Sequence, residues 1–264
     1  MKIRLDLYLV EKCNISSREK AKALIMAGHV YVNNQKAYKA GELLNEDADV
    51  TIKEELPFVS RGGYKLDKAI KVFNINLEGK ICIDIGASTG GFTDCMLQNG
   101  AKRVYAVDVG YGQLDWKLRC DERVVVLERT NSRYLTAEQI PDKADFLTAD
   151  VSFISLNTAL STVVDLISDN ARLMVLIKPQ FEAGRELVGK KGVVKDKKVH
   201  KDVIIRVCEQ MIKKNLSILD IDFSPIKGPE GNIEYLLYMT KVKKDSIDFV
   251  VKANEIVDNA HSSI

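Results

Sequence analysis

Residues 82–94, CIDIGASTGGFTD, hold the densest potential chemistry in the chain. Gly-Ala-Ser-Thr-Gly, 86–90, fits the G-x-S-x-G turn on which serine hydrolases mount a nucleophile, which would be Ser88. The same stretch, with Gly86, Gly90 and Gly91, also lets a backbone turn sharply and approach a bound ligand. The two readings need different companions. A hydrolase needs an acid and then a histidine at the same edge of the fold. Downstream, His200 lies in the basic, helix-like KDKKVHKDVI, and His261 lies close to the end of the sequence. A cofactor site needs an acid at the end of the next strand. Asp108 closes RVYAVDV, 22 residues beyond Gly86. The cofactor reading explains more of the residues.

The elements that must position these groups are legible as a pattern. From residue 81 the chain alternates strand-like and helix-like runs. The strand-like runs are KICIDI, RVYAVDV, RVVVLE, DFLTADV, RLMVLIK, SILDIDF and IEYLLYM. The clearest helices are expected over 90–98, 155–168 and 197–214. Such alternation predicts an α/β, Rossmann-like domain: a seven-stranded, mostly parallel sheet with helices on both faces. Only SPIKGPEGN joins the last two strands, too short for a helical crossover, so the last strand should run antiparallel. Ligands bind beyond the carboxyl ends of strands in such sheets, where IDIGASTGG would lie. The loop reads G-x-x-x-G-G after Asp84, not the dinucleotide pattern G-x-G-x-x-G. Without a phosphate cradle it suits a nucleoside bearing an amino acid, and points to S-adenosylmethionine. Asp84, Gly86, Ser88, Gly90 and Gly91 would form that loop. Asp108 would accept the ribose hydroxyls, Asn131 would read the adenine edge, and Phe92 would pack on the cofactor.

Residues 1–55 read as a separate small α/β module. LDLYLVEK and SSREKAKALIMAG have helical spacing, the second ending at Gly28. HVYVNNQKAYKAG alternates around Asn33-Asn34, a tight-turn signal. Charge is uneven although the net is only +2. Residues 1–40 carry eight Lys/Arg against three acids, and residues 178–201 repeat that ratio, as expected of a polyanion footprint. The five cysteines form no C-x-x-C pair and the three histidines are scattered, so no metal site is expected. The start, MKIRLDLYLVEK, is charged throughout, unlike a signal peptide, and no apolar run reaches spanning length. A cytoplasmic location is expected, with no membrane association and no evident protein partner.

SREKAKALIMAGHVYVNNQKAYKAGELLNEDADVTI resembles the small RNA-binding domain of the ribosomal-protein S-four type. That resemblance implies a basic helical face that grips structured RNA, with Arg4, Arg18, Lys20 and Lys22 as candidates. Further on, RGGYKL, IDIGASTGGFTD, AVDVGYGQL, RTNSR, DVSFISL, LIKPQFE and GNIEYLL occur in this order. Together they resemble the TlyA (haemolysin A-like) family of ribosomal-RNA 2′-O-methyltransferases, related to FtsJ/RrmJ. The resemblance implies methyl transfer from S-adenosylmethionine to a ribose 2′-hydroxyl of RNA in ribosomal subunits. The family's Lys-Asp-Lys-Glu constellation would fall on Lys65, Asp150, Lys178 and Glu234, with Asp150 also favouring the cationic sulfonium. Arg61, Lys190 and Lys191 would track RNA phosphates. The implied layout is an RNA-binding domain over 1–58, a linker over 59–64, a methyltransferase domain over 65–245 and a helical tail over 246–264. Two other readings remain: a membrane-active cytolysin, as the family's historical name suggests, and a noncatalytic RNA-binding assembly factor.

Overall fold

The computed structural model describes residues 2–15, 17–26, 28–37, 39–45, 48–52, 57–228 and 230–263. The chain divides into two compact units, 1–57 and 58–264.

The smaller unit runs β1 (Lys2–Arg4), α1 (Leu5–Lys12), α2 (Arg18–Met26), β2 (Val30–Val32), β3 (Gln35–Lys36), β4 (Leu43–Asn45) and β5 (Val50–Ile52). β1 pairs antiparallel with β4, and β2 lies between β3 and β5. The β2–β3 hairpin turns on Asn33 and Asn34, whose φ values of 48° and 64° are those of the primed turn that asparagine tolerates. Helices this short do not persist alone. Theirs is the burial of Leu5, Leu9 and Ile25 against Val30 and Leu44.

The larger unit begins with α3 (Gly63–Val72), β6 (Ile81–Ile85), α4 (Gly91–Gln98), β7 (Arg103–Val107), α5 (Trp116–Arg119) and β8 (Val124–Leu127). It continues with β9 (Ala144–Ala149), α6 (Leu156–Ala159), β10 (Ile167–Ile177), α7 (Pro179–Glu182) and α8 (Lys197–Lys213). β11 (Ser217–Phe223), β12 (Tyr235–Thr240) and α9 (Phe249–Ser263) complete it. The sheet order is β11-β12-β10-β9-β6-β7-β8. β8, β7, β6, β9 and β10 are parallel, while β12 runs antiparallel to both its neighbours. Successive strand residues serve opposite faces, as the period of two requires. Ile83, Leu147, Val175 and Leu237 join Val203, Val207 and Ile256 of α8 and α9 in one core. Cys82, Phe146, Met174 and Leu236 join Leu66 and Ala69 of α3 and Cys95 and Met96 of α4 in the other.

Two expectations need correction. The helix expected over 155–168 is only α6, followed by a 3₁₀ turn at Val163–Leu166, and β10 already starts at Ile167. The β-branched Thr162, Val163 and Val164 explain the early stop. Residues 59–64 are not a free linker. Phe58 is buried, the Val59 N–H donates to Asp94 Oδ2 at 2.9 Å, and a Cβ on Gly91 would lie 2.8 Å from the Gly63 nitrogen. The segment is thus packed onto α4.

Candidate active site

Parallel strands deliver their next residues to one edge. Asp150 follows β9 and Lys178 follows β10, its neighbour in the sheet. Glu234 comes just before β12, which runs the other way, and the Ile177–Tyr235 pairing sets it opposite Lys178 at the same edge. Lys65 reaches in from the first turn of α3.

These four side chains form one ion-pair network. Lys65 Nζ lies 2.6 Å from Glu234 Oε2 and 3.4 Å from Asp150 Oδ2. Lys178 Nζ lies 2.5 Å from Asp150 Oδ1 and donates to Ser152 Oγ at 3.2 Å. The Lys178–Asp150 approach is an ion pair without hydrogen-bond alignment, so Asp150 Oδ1 keeps unused accepting capacity. Lys65, Lys178 and Glu234 are buried. Burial by itself would lower the Lys65 pKa, but the Asp150 and Glu234 carboxylates outweigh it and raise it. Lys65 is therefore a fixed cation at neutral pH.

Two adjoining cavities of about 370 and 340 Å³ share Gly86, Ser88 and Asp150. Ser60, Arg61, Lys65, Gly91 and Phe92 line the first. Asp108, Gln113, Asn131, Ser152 and Phe153 line the second. Gly86 has a φ of +81°, and a Cβ there would sit 2.5 Å from the Asp150 carbonyl oxygen, so only glycine fits. The Asp108 carboxylate accepts the Ser88 N–H at 2.8 Å and the Gly110 N–H at 2.7 Å. Each oxygen retains further accepting capacity and Asp108 lines the second cavity, as a ribose diol needs. The lining thus fits an adenosine-bearing cofactor.

Ser88 is exposed at φ +50°, its hydroxyl 3.4 Å from Gln113 Oε1. The buried His200 spends both ring nitrogens on Tyr235 Oη and the Val194 carbonyl, and its ring packs against His261. Neither histidine is set up as a base for Ser88, and the hydrolase reading fails on that ground.

Two of the expected loop residues do not line the cavities. Asp84 is wholly buried beneath the loop, accepting Thr93 Oγ1 at 2.7 Å and Thr148 Oγ1 at 2.9 Å. Burial pushes its pKa up to about 6 despite those hydroxyls. Gly90, at φ +97°, faces Leu114 and Leu118, so its lack of a side chain serves packing. Asn131 does line the second cavity, and its Oδ1 also accepts the Arg133 N–H at 3.1 Å.

The RNA candidates are dispersed. In the smaller unit, Arg4 and Arg18 both grip the buried Asp6, at 3.0 and 2.9 Å, while remaining partly exposed. Those bonds, the one from Arg4 first, hold the Asp6 pKa down to about 2. Lys22 is exposed, and the side chain of Lys20 lies outside the described residues. In the larger unit, Arg61 donates to the Lys227 carbonyl at 3.2 Å. Lys190 and Lys191 are exposed on a loop of their own. Sequence reasoning missed Asp6, Asp94, Ser152 and Asn232. Only Ser152, beside Asp150, had a usable signal.

Residues 58–241 match the FtsJ-like methyltransferase family and residues 3–50 match the S4 domain. YqxC of Bacillus subtilis, provisionally named an rRNA methyltransferase, is 54% identical over 90% of this chain and 85% of its own. TlyA of Mycobacterium tuberculosis, named a 16S/23S rRNA (cytidine-2′-O)-methyltransferase, is 41% identical over 99% of this chain and 97% of its own. A solved structure from Streptococcus thermophilus that carries a hemolysin designation is 44% identical. It superposes with a TM-score of 0.77 over 99% of this chain and 96% of its own. None of the helices among the described residues is long and apolar enough to cross a membrane. With its sheet, its strand-end network and these matches agreeing, the chain belongs to the FtsJ-like methyltransferase family, with an S4 domain ahead of the catalytic unit.

Proposed function

We propose that this chain transfers a methyl group from S-adenosylmethionine to a ribose 2′-hydroxyl of ribosomal RNA. The observation that carries the reading is the convergence of Lys65, Asp150, Lys178 and Glu234 at the edge of a cavity suited to that cofactor. When bound, the cofactor supplies an electrophilic sulfonium methyl. The residues do the rest. Asp108 holds the nucleoside diol, and Gly86 and Ser88 turn the backbone around it. Asp150 supplies negative charge beside the cavity, held in place by both lysines. Lys178 Nζ orients the 2′-oxygen and stabilises the charge it develops, an interaction that strengthens toward the transition state. Lys65, kept cationic, neutralises Glu234 and fixes its carboxylate. The S4 module adds affinity through phosphate contacts, with Lys22 and the outer faces of Arg4 and Arg18 as its candidates.

The test is transfer of labelled methyl to ribosomal subunits, followed by mapping of 2′-O-methylated nucleotides. Label should appear on ribose, and Lys178→Ala should abolish most of it while cofactor affinity stays nearly intact. Label on a base, or near-normal turnover without Lys178, would refute the assignment.

A further inference from the structure

The basic loop and the carboxylate of the network are joined by one buried amide. Asn232 is 2% exposed. Its Oδ1 accepts the Val194 N–H at 3.1 Å, and its Nδ2 donates to the Gly192 carbonyl at 2.8 Å. Both bonds end on the loop that carries exposed Lys190, Lys191 and Lys195. On its other side, Asn232 stands two residues before Glu234. Its own carbonyl accepts the Gly228 N–H at 2.9 Å, and a Cβ on Gly228 would lie 2.7 Å from Glu234 Oε1. A second strut runs parallel. His200 bonds the Val194 carbonyl at 2.9 Å and Tyr235 Oη at 2.7 Å, and Tyr235 directly follows Glu234. The loop is thus fastened on both sides of Glu234.

We infer that Asn232 is a positioning residue that couples the basic loop 189–195 to Glu234, so that phosphate binding by the loop and the geometry of the Lys65–Glu234 pair are set together. The inference rests on the proposed methyl transfer. An amide fits here because the loop offers one donor and one acceptor, and the two atoms of one planar amide answer both. An aspartate would lose the bond to Gly192 and bury a charge. The loop's cations lie outside the cavity and Glu234 lies inside the network, and Asn232, with the parallel His200 strut, links the two.

The experiment compares wild type, Asn232→Ala, Lys190→Ala/Lys191→Ala and the triple variant in methyl transfer to ribosomal subunits across a salt series. The lysine pair should raise KM and flatten its salt dependence by about 0.7 to 0.9 per lost contact. Asn232→Ala should raise KM and also lower kcat roughly tenfold, as a misplaced network would. In the triple variant KM should rise little beyond that of Asn232→Ala, because the loop has already lost its amide anchor to the Glu234 segment. Additive KM effects, or an unchanged kcat in Asn232→Ala, would overturn the coupling. Hydrogen exchange without RNA gives an independent reading. Asn232→Ala, or Asn232→Asp should the alanine variant not fold, must speed exchange in both 189–196 and 231–236. Faster exchange in the loop alone would overturn it. In wild type, bound ribosomal RNA should slow exchange in both segments together, and slowing confined to the loop would count against the coupling even if neither variant folds. Absence of methyl transfer by wild type would instead refute the proposed function, a result the exchange pattern does not share.

Discussion

Replacing Lys65 by methionine keeps the length of the side chain and removes its charge. Glu234 would then lose the ammonium 2.6 Å away while its side chain stays 1% exposed. Removing one partner of a buried ion pair destabilises by about 3–5 kcal/mol, so the expected loss is about 4 kcal/mol. The pair's pH dependence has a definite sign. In wild type the raised Lys65 pKa means that the pair is fully present below the ordinary lysine value and lost only as pH rises through the folded one. Between pH 5 and 7 wild type is therefore insensitive to this pair. Urea denaturation followed by far-ultraviolet circular dichroism at pH 7 measures the loss. The double variant Lys65→Met/Glu234→Leu should recover most of the stability, since it leaves no unpaired charge, yet no methyl transfer. A deficit below about 1 kcal/mol at pH 7, or a double variant no better than the single, would refute the reasoning.

Gly86→Ala places a Cβ 2.5 Å from the Asp150 carbonyl at a φ of +81°, so it should cost about 1–2 kcal/mol in backbone strain alone and displace Asp150. Normal methyl transfer and an unchanged melting temperature would contradict that. Asp108→Ala removes the acceptor for the ribose hydroxyls, worth about 1.5–3 kcal/mol, so S-adenosylmethionine affinity should fall tenfold or more by calorimetry. Unchanged affinity in a folded variant would exclude Asp108 from the site. Because the folded Asp84 pKa is raised to about 6, its contribution to stability falls as pH rises from the ordinary aspartate value to about 6 and is level above. Asp84→Asn should flatten that slope, worth about 3 kcal/mol, in denaturation series between pH 4 and 7, and an identical slope would assign the trend to other groups.

The strand ends were legible because apolar runs buried on both faces are long, uniform and bounded. That is why Asp150 and Lys178, each the first polar residue after such a run, could be placed at one edge from sequence. Glu234 needed the further inference that the last strand is reversed. The finer division of labour was hidden. Asp84 and Asp108 sit in the same apolar-then-acid sequence pattern. Yet Asp84 lies inside β6, where Thr93 and Thr148 take up its carboxylate, while Asp108 follows the end of β7, and the Thr148 contact is a matter of packing across 64 residues of chain. Asn232 was invisible for the same reason: its partners are main-chain atoms at Gly192 and Val194, and a backbone acceptor leaves no mark on residue identity. Arg4 and Arg18 became RNA candidates through the S-four-type resemblance and its basic helical face, while the buried Asp6 that engages them looked like any first-turn acid.

β12 lies inside the sheet, between β10 and β11, although it is the last strand to be synthesised. A chain that ends anywhere before Glu234 leaves β10 as a bare apolar edge, able to recruit another strand. It also lacks Glu234, so Lys65 has only Asp150 to share with Lys178. Competence is gained only when residues 234–240 are present, because one segment closes the edge and neutralises the second lysine together. Truncations that remove this segment should therefore aggregate rather than yield partly active protein.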